Sequence, residues 1–166
     1  MRYEPSSDNS AVFVTESAEE TRALGRALGG FVYPGLTLLL FGGLGMGKTQ
    51  LTQGIGNALG FDRVKSPTFI IVSEHDGRLP LIHADLYRLD AKETDSLDLE
   101  SYTMDGCLLV VEWAELWPSP PEEDRLDIRF EAPDGVDGPR RITIRAFGER
   151  ASRALANLRG EMGSKE

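Results

Sequence analysis

The chain switches between two hydrophobic periods, and the switches predict its elements. Ala11-Val12-Phe13-Val14 is a short apolar run of strand character. Helical spacing follows at Ala18, Leu24, Ala27, Leu28 and Phe31, with Thr15 or Ser17 as the cap, Glu19 and Glu20 in the first turn, and Gly29-Gly30 as the stop. Leu36 to Phe41 is an apolar run broken only by Thr37, as expected of a central strand buried on both faces. A helix starting near Lys48 and running over Thr49 to Leu59 comes next, ending at Gly60. Gly54 and Gly56 each weaken it by up to about 1 kcal/mol relative to alanine, a cost that close approach of another backbone would offset. Ile70–Glu74 and Leu79–Ile82 flank Asp76-Gly77, a hairpin signal. A second apolar run, Cys107 to Val111, ends in Glu112. Leu126–Glu131 and Arg141–Ala146 read as a further hairpin, and Glu149–Leu158 as a closing helix. Residues 90–105 are acidic and helix-prone, either a solvated helix or loop or a mobile surface for a partner.

These elements predict one α/β domain: a central mixed sheet with a parallel core and antiparallel hairpins, flanked by helices. The boundaries read as a disordered polar start over 1–10, a folded domain over 11–159 and a flexible tail over 160–166. At 166 residues the chain is long enough to bury a real core.

Composition narrows the function classes. No apolar run approaches the roughly 20 residues of a membrane helix, and the polar, acidic start is unlike a signal peptide. A single cysteine, Cys107, cannot pair within the chain, which fits a reduced cytoplasmic setting and an inert buried thiol. A net charge of −9 opposes direct binding of DNA or RNA, so any tRNA connection is expected to run through partner proteins. It also means that an anionic ligand must find its cations locally, around Lys48 and Lys65 or Arg88.

The first of the two buried-strand runs opens into Gly42-Gly43-Leu44-Gly45-Met46-Gly47-Lys48-Thr49, which fits the phosphate-binding pattern G-x-x-x-x-G-K-[ST]. The glycines let backbone N–H groups turn inward, and the following helix aims its N-terminal dipole at the same point. Lys48 would reach the β- and γ-phosphates, and the Thr49 hydroxyl would ligate a bridging Mg²⁺. The domain is therefore expected to be a P-loop NTPase with ATP and Mg²⁺ as cofactors. A guanine-specific N-K-x-D motif does not occur. After the helix, Ser66, Pro67 and Thr68 read either as a loop that senses the γ-phosphate or as a proline-led turn opening a strand. Asp85 and Arg88 form an acid at a strand's end with an arginine three residues on, either site residues or a structural ion pair. Glu112, ending an apolar strand, is placed to hold the ion or orient water. His83 reads as packed or hydrogen-bonded rather than as a metal ligand, and Trp113 and Trp117 either cover the site or pack in the core, with packing favoured.

In combination, Gly43-Leu44-Gly45-x-Gly47-Lys48-Thr49, Ser66-Pro67-Thr68-Phe69, His83-x-Asp85-Leu86-Tyr87-Arg88-Leu89 and Glu112-Trp113 resemble, in this order, the bacterial TsaE (formerly YjeE) family, over about residues 12–147. The resemblance implies a small cytoplasmic ATPase that supports tRNA threonylcarbamoyladenosine formation with a TsaB–TsaD pair, TsaD carrying the transferase chemistry. By the same resemblance Gly42–Thr49 is the ATP-phosphate loop, Thr49 and Glu112 the Mg²⁺ sphere, Lys48, Asp85 and Glu112 the catalytic groups, and Ser66 and Thr68 part of a switch-like loop that contacts the nucleotide. Two positions depart from it: Gly43 stands where the family usually has an acid, and His75 where it often has tyrosine. The cradle needs only backbone at Gly43, but any part that the acid plays in turnover is missing. A small-molecule P-loop kinase and a non-hydrolytic nucleotide-dependent binding module are the alternative readings, and no arginine-rich lid segment favours the kinase.

Overall fold

The structure, a computed structural model, describes residues 1–4, 6–64, 71–135 and 137–164. Its centre is an eight-stranded sheet built from β1 (Arg2–Glu4), β2 (Ser10–Thr15), β3 (Thr37–Phe41), β4 (Val72–His75), β5 (Leu81–Asp85), β6 (Leu108–Glu112), β7 (Arg125–Glu131) and β8 (Arg140–Phe147), in the spatial order β1-β2-β8-β7-β3-β6-β5-β4. Strands β7, β3, β6 and β5 run parallel to their neighbours in the middle. Antiparallel pairs close both sides: β4 with β5, and β7 with β8, β8 with β2 and β2 with β1. This is the mixed α/β sheet expected from the pattern.

The helices are α1 (Ala18–Gly29), α2 (Lys48–Ala58), α3 (Ala91–Ser96), α4 (Leu99–Met104) and α5 (Glu149–Gly163). Their starts follow local chemistry. Ser17 caps α1 by accepting the Glu20 N–H at 3.1 Å, and Asp90 with Glu93 forms a reciprocal capping box on α3. Helix α2 starts after Gly47 at φ 102°, and no side chain caps its first N–H groups.

Strand β3 shows why the sheet is buried on both faces. Leu38 and Leu40 join a core with Leu24 and Leu28 of α1, Leu51 and Ile55 of α2, and Leu155 and Leu158 of α5. Leu39, one residue out of phase, points to the opposite face and packs with Leu109, Val111, Leu99 and Trp117. Truncating Leu40, which is wholly buried, to alanine would cost about 2–5 kcal/mol.

The termini are more ordered than the polar composition predicts. Arg2, Tyr3 and Glu4 pair with Val14, Phe13 and Val12 of β2, because the outer edge of β2 offers unpaired backbone groups. Tyr3 also stacks on Phe13 with ring centroids 5.4 Å apart, and its hydroxyl accepts from Arg159 Nε at 2.9 Å. At the other end α5 continues through Gly163, since Met162 still reaches the core. The segment 65–70, with Lys65, Ser66 and Thr68, lies outside the described residues, as do Pro5, Val136 and residues 165–166. Among the described residues no helix is long and apolar enough to cross a membrane.

Candidate functional site

Strands β3, β5 and β6 are parallel, so their carboxyl ends open on one edge of the sheet, where ligands of open α/β sheets bind. Glu112 is the last residue of β6 and lies in register with Leu40 of β3 on one side and Asp85, the last residue of β5, on the other. The glycine loop leaves the end of β3 and turns into α2 across the same edge. Gly42, Gly45 and Gly47 have φ of 146°, 72° and 102°, which side chains rarely adopt. A cleft of about 490 Å³ results, lined by Leu44 through Gln50, Asp85, Glu112, Trp113 and the rim residues Ile71, Tyr87 and Arg88.

Lys48 is buried, and its ammonium donates to the carbonyls of Gly42 and Gly43, the latter at 2.8 Å. Its Nζ also stands 5.0 Å from the Trp113 ring centroid. Burial lowers the pKa of this ammonium, while the charges of Glu112, Glu115 and Asp85 raise it. Glu112 is 5% exposed, and its Oε2 lies 3.0 Å from Nε2 of His83, itself 1% exposed. Asp85 Oδ1 accepts the Tyr87 N–H at 2.9 Å. Burial pushes the Asp85 carboxyl above the usual carboxylate range, opposed by that N–H; Glu112 adds to the rise, and His83 and Lys48 oppose it.

A second cleft of about 370 Å³ lies against the loop and shares Gly45, Met46, Gly47 and Gln50 with the first. Its other walls are Thr15 at the end of β2, Ser17 and Thr21 at the start of α1, Asp137 and Gly138 before β8, and Arg140, the first residue of β8. Arg140 Nη2 donates to the Gly45 carbonyl at 3.4 Å, tying that hairpin to the loop.

The family model described as threonylcarbamoyl adenosine biosynthesis protein TsaE matches residues 15–142. The chain belongs to the TsaE family. It is 41% identical over 138 residues to the tRNA threonylcarbamoyladenosine biosynthesis protein TsaE of Bacillus subtilis, covering 82% of this chain and 85% of that protein. The Streptomyces coelicolor protein of the same name is also 41% identical over 138 residues, covering 78% and 92% of the two chains. Among solved structures, the crystal structure of Bacillus subtilis YdiB superposes with a TM-score of 0.76 at 34% identity, covering 97% of this chain and 98% of that one.

In this TsaE-family chain the fold brings Leu44, Gly45, Met46, Gly47, Lys48, Thr49, Asp85 and Glu112 to one cleft from three separate stretches of sequence. Gly42 and Gly43 stand behind it and offer their carbonyls to Lys48. Ser66 and Thr68 fall outside the described residues. Two readings of side-chain packing are refined. Asp85 makes no ion pair with Arg88 among the described residues; it is satisfied by the Tyr87 N–H, and Arg88 is exposed on the rim. Trp113 is half-buried, packing against the core around Leu39 and Val111 while also lining the cleft, whereas Trp117 is buried as expected. The backbone explains the split: Trp113 adopts φ 56°, a left-handed conformation that turns its ring toward Lys48 and Tyr87. Cys107 is half-buried rather than enclosed. Sequence reasoning missed Gln50 and Arg140. Arg140 carries no local signal, because it reaches the loop from a hairpin 95 residues away.

Proposed function

We propose that this chain is a Mg²⁺-dependent ATPase that serves as a nucleotide switch in tRNA N6-threonylcarbamoyladenosine biosynthesis, acting on tRNA indirectly through a TsaB–TsaD pair. The observation that carries this reading is the convergence of the glycine loop, Lys48, Asp85 and Glu112 on one cleft at the carboxyl edge of the sheet. The names of the TsaE relatives supply the pathway.

The donor set suits Mg²⁺. Thr49, Asp85 and Glu112 offer hard oxygen ligands on the same cleft, and among the described residues no group of three or more His, Cys, Asp or Glu could hold an ion alone. That is the arrangement of an ion held by one or two protein groups together with substrate phosphates. Thr49 and Glu112 would hold it, and when bound it would supply positive charge that neutralises the phosphates of the nucleotide.

The chain's own residues do the rest. Loop N–H groups and the start of α2 receive the phosphates. Lys48 exchanges the Gly42 and Gly43 carbonyls for phosphate oxygens, so its charge is already desolvated and aimed when the ligand arrives. Asp85, pinned by the Tyr87 N–H, orients the attacking water beside Glu112. The second cleft, between the capped start of α1 and Arg140, takes the nucleoside. Leu44, Ile71 and Tyr87 are large, apolar or aromatic and exposed on the rim, at 72%, 40% and 53%. Such a rim favours turnover coupled to a protein that covers the cleft.

The test is ATP binding and phosphate release measured with and without TsaB and TsaD. The wild type should bind ATP·Mg²⁺ and release phosphate faster with both partners, and Lys48→Ala should lose both properties. Unchanged ATP binding and partner-stimulated release in Lys48→Ala would reject the mechanism. Binding without phosphate release under any condition would favour a non-hydrolytic module.

A further inference from the structure

His83 is not accounted for by the loop, the cleft lining or the two carboxylates, and yet it is among the most deeply buried polar residues of the chain. It lies on β5 two residues before Asp85, so both side chains leave the same face of the sheet. Parallel register sets Asp85 beside Glu112 and His83 beside Val110. The imidazole therefore reaches Glu112 diagonally, from beneath, and Nε2 stops 3.0 Å from Oε2. An ionised carboxylate has only acceptor sites, so Nε2 carries the hydrogen and donates. Among the described residues this is the hydrogen bond that Glu112 receives from a side chain.

The rest of the imidazole argues against a packing role. Nδ1 is buried and has no hydrogen-bond partner among the described residues, a cost that an apolar side chain in the same place would avoid. The contact restrains the carboxylate itself: a glutamate ending a strand has three side-chain torsions to settle, and a donor on one oxygen removes most of that freedom. The neighbouring acid is restrained in the same way, with Oδ1 of Asp85 taken by the Tyr87 N–H. Each carboxylate thus has one oxygen held from within the protein and one left for the cleft that both residues line.

We propose that His83 is a positioning residue for Glu112: by holding Oε2 it presents Oε1 to the Mg²⁺ of a bound ATP·Mg²⁺. This rests on the Mg²⁺-ATP reading above. Removing such an outer partner weakens metal binding about 10- to 100-fold in known sites.

The experiment measures equilibrium ATP affinity with Mg²⁺ and with EDTA for the wild type, His83→Gln, His83→Asn and His83→Leu. The glutamine amide reaches about as far as Nε2 and restores the donor; the asparagine amide falls short, and leucine has none. His83→Gln should keep the Mg²⁺-dependent gain in affinity to within about threefold, while His83→Asn and His83→Leu lose about tenfold or more of it. ATP affinity in EDTA should be the same in all four, because the His83 hydrogen bond goes to Glu112 and His83 is not among the residues lining the cleft; this also reports that the site is folded. If leucine unfolds the chain, the asparagine and glutamine pair carries the comparison. Equal Mg²⁺-dependent gains in the asparagine and glutamine variants would overturn the positioning role. No Mg²⁺-dependent gain in the wild type would instead overturn the underlying Mg²⁺-ATP reading.

Discussion

Gly25 of α1 and Gly54 of α2 face each other with no room for a side chain between them. A Cβ on Gly54 would stand 2.9 Å from the Gly25 Cα, and one on Gly25 would stand 3.0 Å from the Gly54 Cα. Each would also fall on a carbonyl oxygen of the other helix, Arg22 for Gly54 and Leu51 for Gly25. Two helices that touch through their backbones cannot slide or tilt independently, and α2 is the helix that begins with Lys48 and Thr49. The helix-weakening glycine thus fixes the base of the phosphate loop against α1.

Gly54→Ala should therefore destabilise the chain although alanine is the better helix former. Overpacking against backbone costs about 1–3 kcal/mol or more, and the propensity gain returns up to about 1 kcal/mol. A drop of several degrees in thermal midpoint, roughly 2–4 °C per kcal/mol for a chain of this size, is expected in calorimetry, together with weaker ATP binding. An unchanged midpoint would mean that the helices separate without cost.

Gly160→Ala should do the opposite. Gly160 lies inside α5, is exposed, and a Cβ there meets nothing within 4 Å. Alanine should add about 0.5–1 kcal/mol of stability by urea denaturation, with ATP binding unchanged.

Trp113 should report ligand binding. Its ring lies 5.0 Å from Lys48 Nζ and 4.6 Å from the Tyr87 ring centroid, so drawing the ammonium toward a phosphate alters the surroundings of the indole. Tryptophan emission should change on addition of ATP·Mg²⁺, keep that change in Trp117→Phe, whose side chain is buried away from the cleft, and lose it in Trp113→Phe. A response that follows Trp117 instead would place the rearrangement in the core.

Cys107 should be a slow thiol. Burial raises its pKa, and the neighbouring charges of Asp105, Glu74 and Asp76 raise it further. A raised pKa means less thiolate at any given pH, so the rate with a thiol-specific disulfide reagent should continue to climb beyond the ordinary thiol range. Asp105→Asn should move that rate profile toward lower pH. A profile matching free cysteine would contradict the local charge balance.

Much of the fold was legible because its signals are local. The apolar runs at 36–41 and 107–111 became β3 and β6, buried on both faces, since only a doubly covered parallel strand tolerates apolar side chains in both directions. Ser17 acted as the cap of α1, and the closing helix formed at Glu149. The hairpin at Asp76-Gly77 also formed, but its strands pair from Val72–His75 to Leu81–Asp85, because Leu79 is drawn into the core and lengthens the turn. The start and end of the chain escaped the pattern. Polar residues carry no periodic signal, and β1 owes its order to an edge of β2 that no local stretch of sequence describes.

The phosphate loop was determined by sequence alone: glycines where φ turns positive, a lysine and a threonine at the head of a helix, and an apolar strand before them allow few other backbones. Only the tertiary structure decided what surrounds it. Parallel pairing of β5 with β6 aligned Asp85 with Glu112 and put His83 within hydrogen-bond reach. The left-handed turn at Trp113 sent one tryptophan to the cleft while the next stayed in the core, and Arg140 arrived from a distant hairpin. The physical reason is common to all three. A residue type and its spacing report what the backbone does nearby, whereas register and strand order, set by burial over the whole sheet, decide which side chains meet.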